Sequence, residues 1–218
     1  MVKISTGGRC ALEFDVVTRE ITHRYVDPLD RIWLGAARAC GLQVVRSSEV
    51  FASTDGEGLL CIGAADTLDP DDCLAQMVFH ELAHWMVQGE NARSQADWGL
   101  QNTDGSDEVR ERACLRLQAV LLSPFGLRQV LAPTTDFRLF YDGLSEDPAR
   151  GATGLERELL EGALARSTRP PWQPWLNRAL KATQAIGLAV RDAGFDESDA
   201  EGLAALWDLM QCGEADEL

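Results

Sequence analysis

The stretch MVFHELAHWMVQG, residues 77–89, constrains this chain more than any other. His80 and His84 are four residues apart, so on a helix they share one face and their imidazoles can converge on one ion. Glu81 is rotated by about 100° from His80 on the same helix. It can lie beside a metal-bound water and take its proton, which is the division of labour in a His-Glu-x-x-His site. Met77, Val78, Phe79, Leu82, Ala83, Trp85, Met86 and Val87 make the helix strongly apolar, and a low-polarity surround sharpens the polarisation of such a water. The chain has three histidines, and two of them are in this motif. The third, His23, sits in a polar stretch far upstream and reads as a surface residue.

Flanking signals give the motif a setting. Asp27, Pro28 and Gly41 bound a helix over 25–41. Two β-rich runs on either side of TDGEG, within 42–65, predict strand, turn, strand. Asp69-Pro70 opens the motif helix, with Asp71 and Asp72 in its acidic first turn, and Gly89 ends it. A polar, glycine-punctuated connection over 89–106 follows. A second helix then runs from about Ser106 to Leu122 and stops at Ser123-Pro124. Residues 124–153 are mixed, and three helical segments, 154–166, 173–192 and 197–211, form the tail. TRPPWQPW separates the first two of these and is expected to dock the tail on the core, with the lining of a substrate groove as the alternative. The reading is α+β: a catalytic domain over 1–150 and a helical extension over 151–218 packed on it.

A third ligand is expected on the second helix. Glu111 is the first choice and Glu108 the alternative, three residues apart on one face, while Cys114, Leu115, Ala119 and Leu122 can pack that helix on the motif helix. Asp97 is a candidate acceptor for the outer N–H of a ligand histidine, or else a turn cap before Gly99. Arg93 is a candidate partner for Asp97 or for a substrate carboxylate. Trp85 is read as core, with a pocket wall as the alternative. Tyr141, one of two tyrosines, is the candidate donor to charge developing on a substrate oxygen.

Two family resemblances enter at these residues. HELAHWMVQGENARSQADWG resembles the elongation factor P hydroxylase family through His80-Glu81, His84-Trp85, Gly89, Arg93 and the Asp97-aromatic-Gly99 turn, with Asp104-Gly105 after it. That resemblance covers about 40 residues specifically. It implies an iron-dependent enzyme on a metalloprotease-like scaffold that hydroxylates a modified lysine of elongation factor P. The segment SDEVRERACLRLQA departs from the family pattern, so the third ligand carries over only loosely, onto Glu111. ERACLRLQAVLLSP, residues 111–124, is similar to the E-x-x-A-N-x-F-A-x-x-L-L-x-P helix of small gluzincin-like peptidases, which also implies Glu111. Both families imply a mostly helical, zincin-like fold with a small sheet beside the motif helix.

Two histidines and a carboxylate leave open coordination positions. With Zn(II), the expected chemistry is peptide-bond hydrolysis with Glu81 as base. With Fe(II), the same ligands form a facial triad for hydroxylation. A non-catalytic metal-binding scaffold is the remaining alternative, though it gives Glu81 nothing to do. The partner is a protein or peptide. A formal charge of −15 disfavours nucleic acid and anionic membrane. The residues MVKISTGGRCALEFDV lack a long apolar core, and no run of 18 apolar residues occurs, so neither a signal peptide nor a membrane span is expected. The six cysteines form no CxxC pair and read as mostly reduced thiols of a cytoplasmic protein.

Overall fold

Asp27 accepts the Leu29 N–H at 2.7 Å and Pro28 fills the first turn, so helix α1 spans Pro28–Ala39. The coordinates are a computed structural model that describes residues 20, 22–101, 107–133, 135–194 and 205–210. After α1, Gly41 takes φ +89° and turns the chain into the sheet.

The β region holds three strands where two runs were expected: β1 (Gln43–Ser47), β2 (Ala52–Thr54) and β3 (Leu59–Gly63), in the order β1-β3-β2. The first run is broken after Ser47, whose hydroxyl accepts the Glu49 N–H and turns the chain out of β1. It re-enters as β2 on the opposite edge of β3. There it forms the antiparallel hairpin that TDGEG predicts, while β1 pairs with β3 in parallel. Asp55 Oδ1 holds the hairpin turn by accepting the N–H groups of Glu57, Gly58 and Leu59 at 2.7–3.0 Å. Leu60 and Ile62 of β3 are fully buried.

The motif helix α2 spans Leu74–Gln88 and starts later than Asp69-Pro70 suggests. Asp72 Oδ2 accepts the Asp69 N–H at 3.0 Å, closing those four residues into a turn, and Cys73 becomes the cap. Asp71 and Asp72 therefore precede the helix. Gly89, at φ +97°, ends it as expected. All residues of α2 except Met77 and Gln88 are buried, which makes it the central rod of the molecule.

Helix α3 (Glu108–Leu122) lies against α2 and passes into a 3₁₀ turn at Ser123–Phe125, ended by Gly126 at φ +68°. The short α4 (Arg138–Asp142), then α5 (Gly154–Ser167) and α6 (Trp175–Asp192), complete the described helices. Helix α5 packs on α2 and α3, and α6 packs on α1, where Trp33 Nε1 donates to Thr183 Oγ1 at 3.0 Å. Between them Trp172 is fully buried, its ring 5.0 Å from that of Trp85, so the proline-rich link docks on the core. Arg166 donates to the carbonyl oxygens of Met86 and Val87, capping the C-terminal end of α2 from α5. One apolar cluster runs from Leu29 through Met210. Of the expected helix over 197–211, only residues 205–210 are described. They hold a 3₁₀ turn, Leu206–Leu209, beside α6.

The protein is thus mixed α/β, mostly helical with a three-stranded sheet. Among the described residues no helix is long and apolar enough to cross a membrane. Cys40, Cys61, Cys73 and Cys114 are free thiols. Cys10 and Cys212 lie outside the described residues.

Candidate metal centre

His80 and His84 project from one face of α2 with their Nε2 atoms 3.0 Å apart and their rings edge to face. Helix α3 brings Glu111 to the same point. Its Oε2 is 3.2 Å from His84 Nε2 and its Oε1 is 3.9 Å from His80 Nε2. Glu108 does not reach them. It is half exposed and pairs with Arg112. Two imidazole nitrogens and a carboxylate in this proximity need a positive charge among them. Glu111 Oε1 and His84 Nδ1 are buried without a hydrogen-bond partner. A divalent ion fits that donor chemistry.

The face of α3 that carries Glu111 continues through Cys114 and Gln118, at spacings of three and seven. His80, His84 and Cys114 form a group that could hold a metal ion, with one ligand atom from each lying within 4.8 Å of the others. The Gln118 side-chain amide is 2.6 Å from His80 Nδ1 and 3.5 Å from Cys114 Sγ. An amide can serve the imidazole as donor or, turned over, as acceptor. In the second orientation it holds the proton on Nδ1 and leaves Nε2 free to bind. This is the task expected of Asp97. The Asp97 carboxylate is instead committed to the Thr54 N–H at 3.0 Å, pinning the 89–101 connection to β2.

Glu81 is buried and points into the same space. Trp98 Nε1 donates to its Oε2 at 2.7 Å. The indole is held from three directions. It stacks on Trp85, with rings 5.7 Å apart and nearly parallel, and the Trp98 backbone N–H donates to Thr54 Oγ1. Its backbone lies in the left-handed region at φ +56°, following Asp97 at φ +48°. Left-handed backbone at two successive non-glycine residues is costly, and the surrounding hydrogen bonds sustain it. Trp85, nearly fully buried, is a core residue and does not line the cleft.

Burial, reinforced by the neighbouring His84, pushes the His80 pKa down to about 4. On His84 burial acts the same way, but the Cys114 sulfur and the Glu111 carboxylate outweigh it and raise the pKa well above the usual histidine value. Glu111 goes down to about 2, because His84 overcomes the effect of burial. Burial raises the Glu81 pKa, with His84 and Trp98 acting against it.

The cleft in front of these groups has a volume of about 470 Å³, with Met77, Phe51 and Phe137 as apolar walls and Asp69, Asp72 and Asp136 at its rim. Ala52 begins the edge strand β2 and Phe51 immediately precedes it, so an edge strand borders the opening.

Three other expectations need correction or limits. Tyr141 is fully buried with Leu115, Ala119 and Ala132, its hydroxyl donates to Arg128 O at 2.8 Å, and it does not line the cleft. It therefore cannot serve as a donor to substrate. Arg93 donates to Gly41 O at 2.7 Å and ties the connection to the end of α1, so it is not the partner of Asp97. Asp104 and Gly105 lie outside the described residues. His23 is on the surface, with its ring beside the Thr22 hydroxyl, as its polar context suggests.

Sequence reasoning missed Trp98 as the partner of Glu81 and Gln118 as the partner of His80. Gln118 could have been found from its spacing to Glu111. Nothing local in the sequence points the Trp98 indole at Glu81. The chain matches no protein-family model, no curated protein and no solved structure.

Proposed function

We propose that this protein is a metal-dependent hydrolase of peptide or protein substrates on a zincin-like scaffold. His80, His84 and Glu111 hold the ion, and Glu81 is the general base. The observation that carries the reading is Glu81 itself. It is a buried carboxylate with raised pKa, one oxygen fixed by Trp98, lining the same cleft as the donor cluster. A raised pKa suits a carboxylate that must take and return a proton. The helix pair α2 and α3, with a sheet edge at the mouth of the cleft, is the arrangement a zincin-like scaffold needs.

A divalent ion bound there supplies Lewis acidity, lowering the pKa of a bound water and polarising a substrate carbonyl. The chain's own residues do the rest. Glu81, held in orientation by the Trp98 N–H, accepts the proton of the attacking water and passes it to the departing amine. Gln118 fixes the His80 ring. Phe51, Met77 and Phe137 exclude bulk water and receive apolar parts of a substrate.

Glu81→Gln tests this directly. It should abolish cleavage of a peptide library by the zinc-loaded protein, by about 10²-fold or more, while metal content stays at one equivalent. Cleavage that survives the substitution removes Glu81 as the base.

One observation favours a second reading, Fe(II)-dependent hydroxylation. Of the residues carrying the resemblance to the elongation factor P hydroxylases, His80, Glu81, His84 and the aromatic of the Asp97-aromatic-Gly99 turn meet here, with Trp98 hydrogen-bonded to Glu81 and Trp85 stacked behind it. Under that reading Glu81 orients substrate, and iron-loaded protein with oxygen adds the mass of one oxygen atom to modified elongation factor P. An unchanged mass with iron fully bound leaves hydrolysis alone.

A further inference from the structure

Cys114 has no task in the chemistry above, yet its sulfur lies inside the donor cluster. It is fully buried. Among the described residues the other buried thiol, Cys40, meets the Pro171 carbonyl oxygen and no ionisable group, whereas Cys114, whose sulfur likewise meets a carbonyl oxygen (His80 O, 3.9 Å), also borders titratable side chains. Cys114 has a different environment. Its neighbours are His80, His84, Glu111 and the Gln118 amide, and its sulfur is within 4.8 Å of a ligand nitrogen on each imidazole. In a tetrahedral zinc site, metal–sulfur and metal–nitrogen bonds of about 2.3 and 2.0–2.1 Å bring sulfur and nitrogen to roughly 3.5 Å. Binding would draw the sulfur and the nitrogens together by up to about 1 Å. The position follows from α3, since Cys114 is one turn beyond Glu111 on the face that meets α2.

We propose that Cys114 supplies a thiolate to the same ion, as a fourth protein donor beside His80, His84 and Glu111. The proposal rests on the metal site proposed above. When the sulfur binds, the S–H bond is lost and its proton leaves to solvent, so no oxidant or reductant is involved. Two consequences follow. A donor set of two imidazoles, one carboxylate and one thiolate selects a borderline-soft ion such as zinc or cobalt over magnesium or manganese. Four protein donors also fill a tetrahedral ion, so the sulfur-bound form is closed to water and the form with the sulfur released is open. The centre therefore carries its own internal blocking ligand.

X-ray absorption at the zinc edge, on the full chain loaded with one equivalent of Zn²⁺, tests this without relying on activity. The expected spectrum has one sulfur at about 2.3 Å with nitrogen and oxygen at about 2.0–2.1 Å. In Cys114→Ser the sulfur shell should disappear while zinc stays bound. If wild-type protein binds zinc with nitrogen and oxygen alone, and His80→Ala abolishes binding, the thiolate proposal is overturned while the metal site stands. A sulfur shell that persists in Cys114→Ser comes from another cysteine and also overturns it. Zinc retained unchanged in His80→Ala removes the metal site and the proposal together. If Cys114→Ser does not fold, the wild-type spectrum and its His80→Ala control decide.

Discussion

A single indole N–H is among the groups that set the behaviour of Glu81. Burial pushes this carboxyl toward its neutral form, and His84, together with the Trp98 hydrogen bond, holds it back. Trp98→Phe keeps an aromatic ring stacked on Trp85 and removes only the donor. A hydrogen bond to a charged group is worth about 1.5–3 kcal/mol, so the Glu81 pKa should rise. The acid limb of the activity–pH profile should then move to higher pH at unchanged metal content. A profile that does not move would leave the indole a packing role alone. The histidines make a second prediction, for the metal-free fold. His80 falls from about 6.5 unfolded to about 4 folded, so the unfolded chain binds more protons between those values. Its contribution to stability is therefore lost as pH falls from 6.5 toward 4. The raised His84 acts in the opposite sense: its contribution is present below about 6.5 and lost as pH climbs through its higher folded value. Removing His80 should isolate the first effect. The unfolding free energy of wild type minus that of His80→Gln should decline from pH 6.5 to 4, and a flat difference would contradict the assignment.

At the scale of elements, the site is made by the crossing of α2 and α3 and by a loop returning to β2. The loop depends on Gly99, which continues the left-handed run of Asp97 and Trp98 at φ +78°. A Cβ there would also collide with the Gln95 side chain. Gly99→Ala should cost about 1–2 kcal/mol in chemical denaturation, and the strain should loosen the Trp98–Glu81 bond. A neutral result would mean that the turn relaxes freely. What was legible in the sequence is what local chemistry encodes. Asp27-Pro28 fixed the start of α1, Gly89 the end of α2, Asp55 the hairpin turn, and the four-residue spacing the histidine pair. The misreadings arose where a distant or competing partner decides. Asp72 turned back to Asp69 instead of entering a helix, and the Ser47–Glu49 turn split a β-rich run between two edges of one sheet. Tyr141 packs behind α3, where no local pattern would reveal it. Glu111 and Glu108 are equivalent by periodicity until α2 is laid against one face of α3.

On the scale of the whole molecule, the tail helices complete the core that carries the histidines. Trp172 meets Trp85, which stacks on Trp98, which bonds Glu81. One contiguous line of rings therefore connects the α5–α6 link to the cleft. Arg166 reinforces it from the end of α5 at the carbonyl end of α2. The chain carries a formal charge of −15, and the cleft rim adds Asp69, Asp72 and Asp136 to the Glu81 and Glu111 carboxylates. The cleft is thus set up to attract a cation and to discourage anionic polymers. All of this is organised around one claim, that α2 and α3 bring His80, His84 and Glu111 together to bind one divalent ion. Metal content per chain, measured by elemental analysis on protein purified without added metal or chelator and again after reconstitution with Zn²⁺, tests it most directly. The account predicts about one equivalent in wild-type protein and essentially none in His80→Ala, with both samples equally helical by circular dichroism. Wild-type protein that binds no metal after reconstitution, or a His80→Ala sample that keeps its full equivalent, would contradict it.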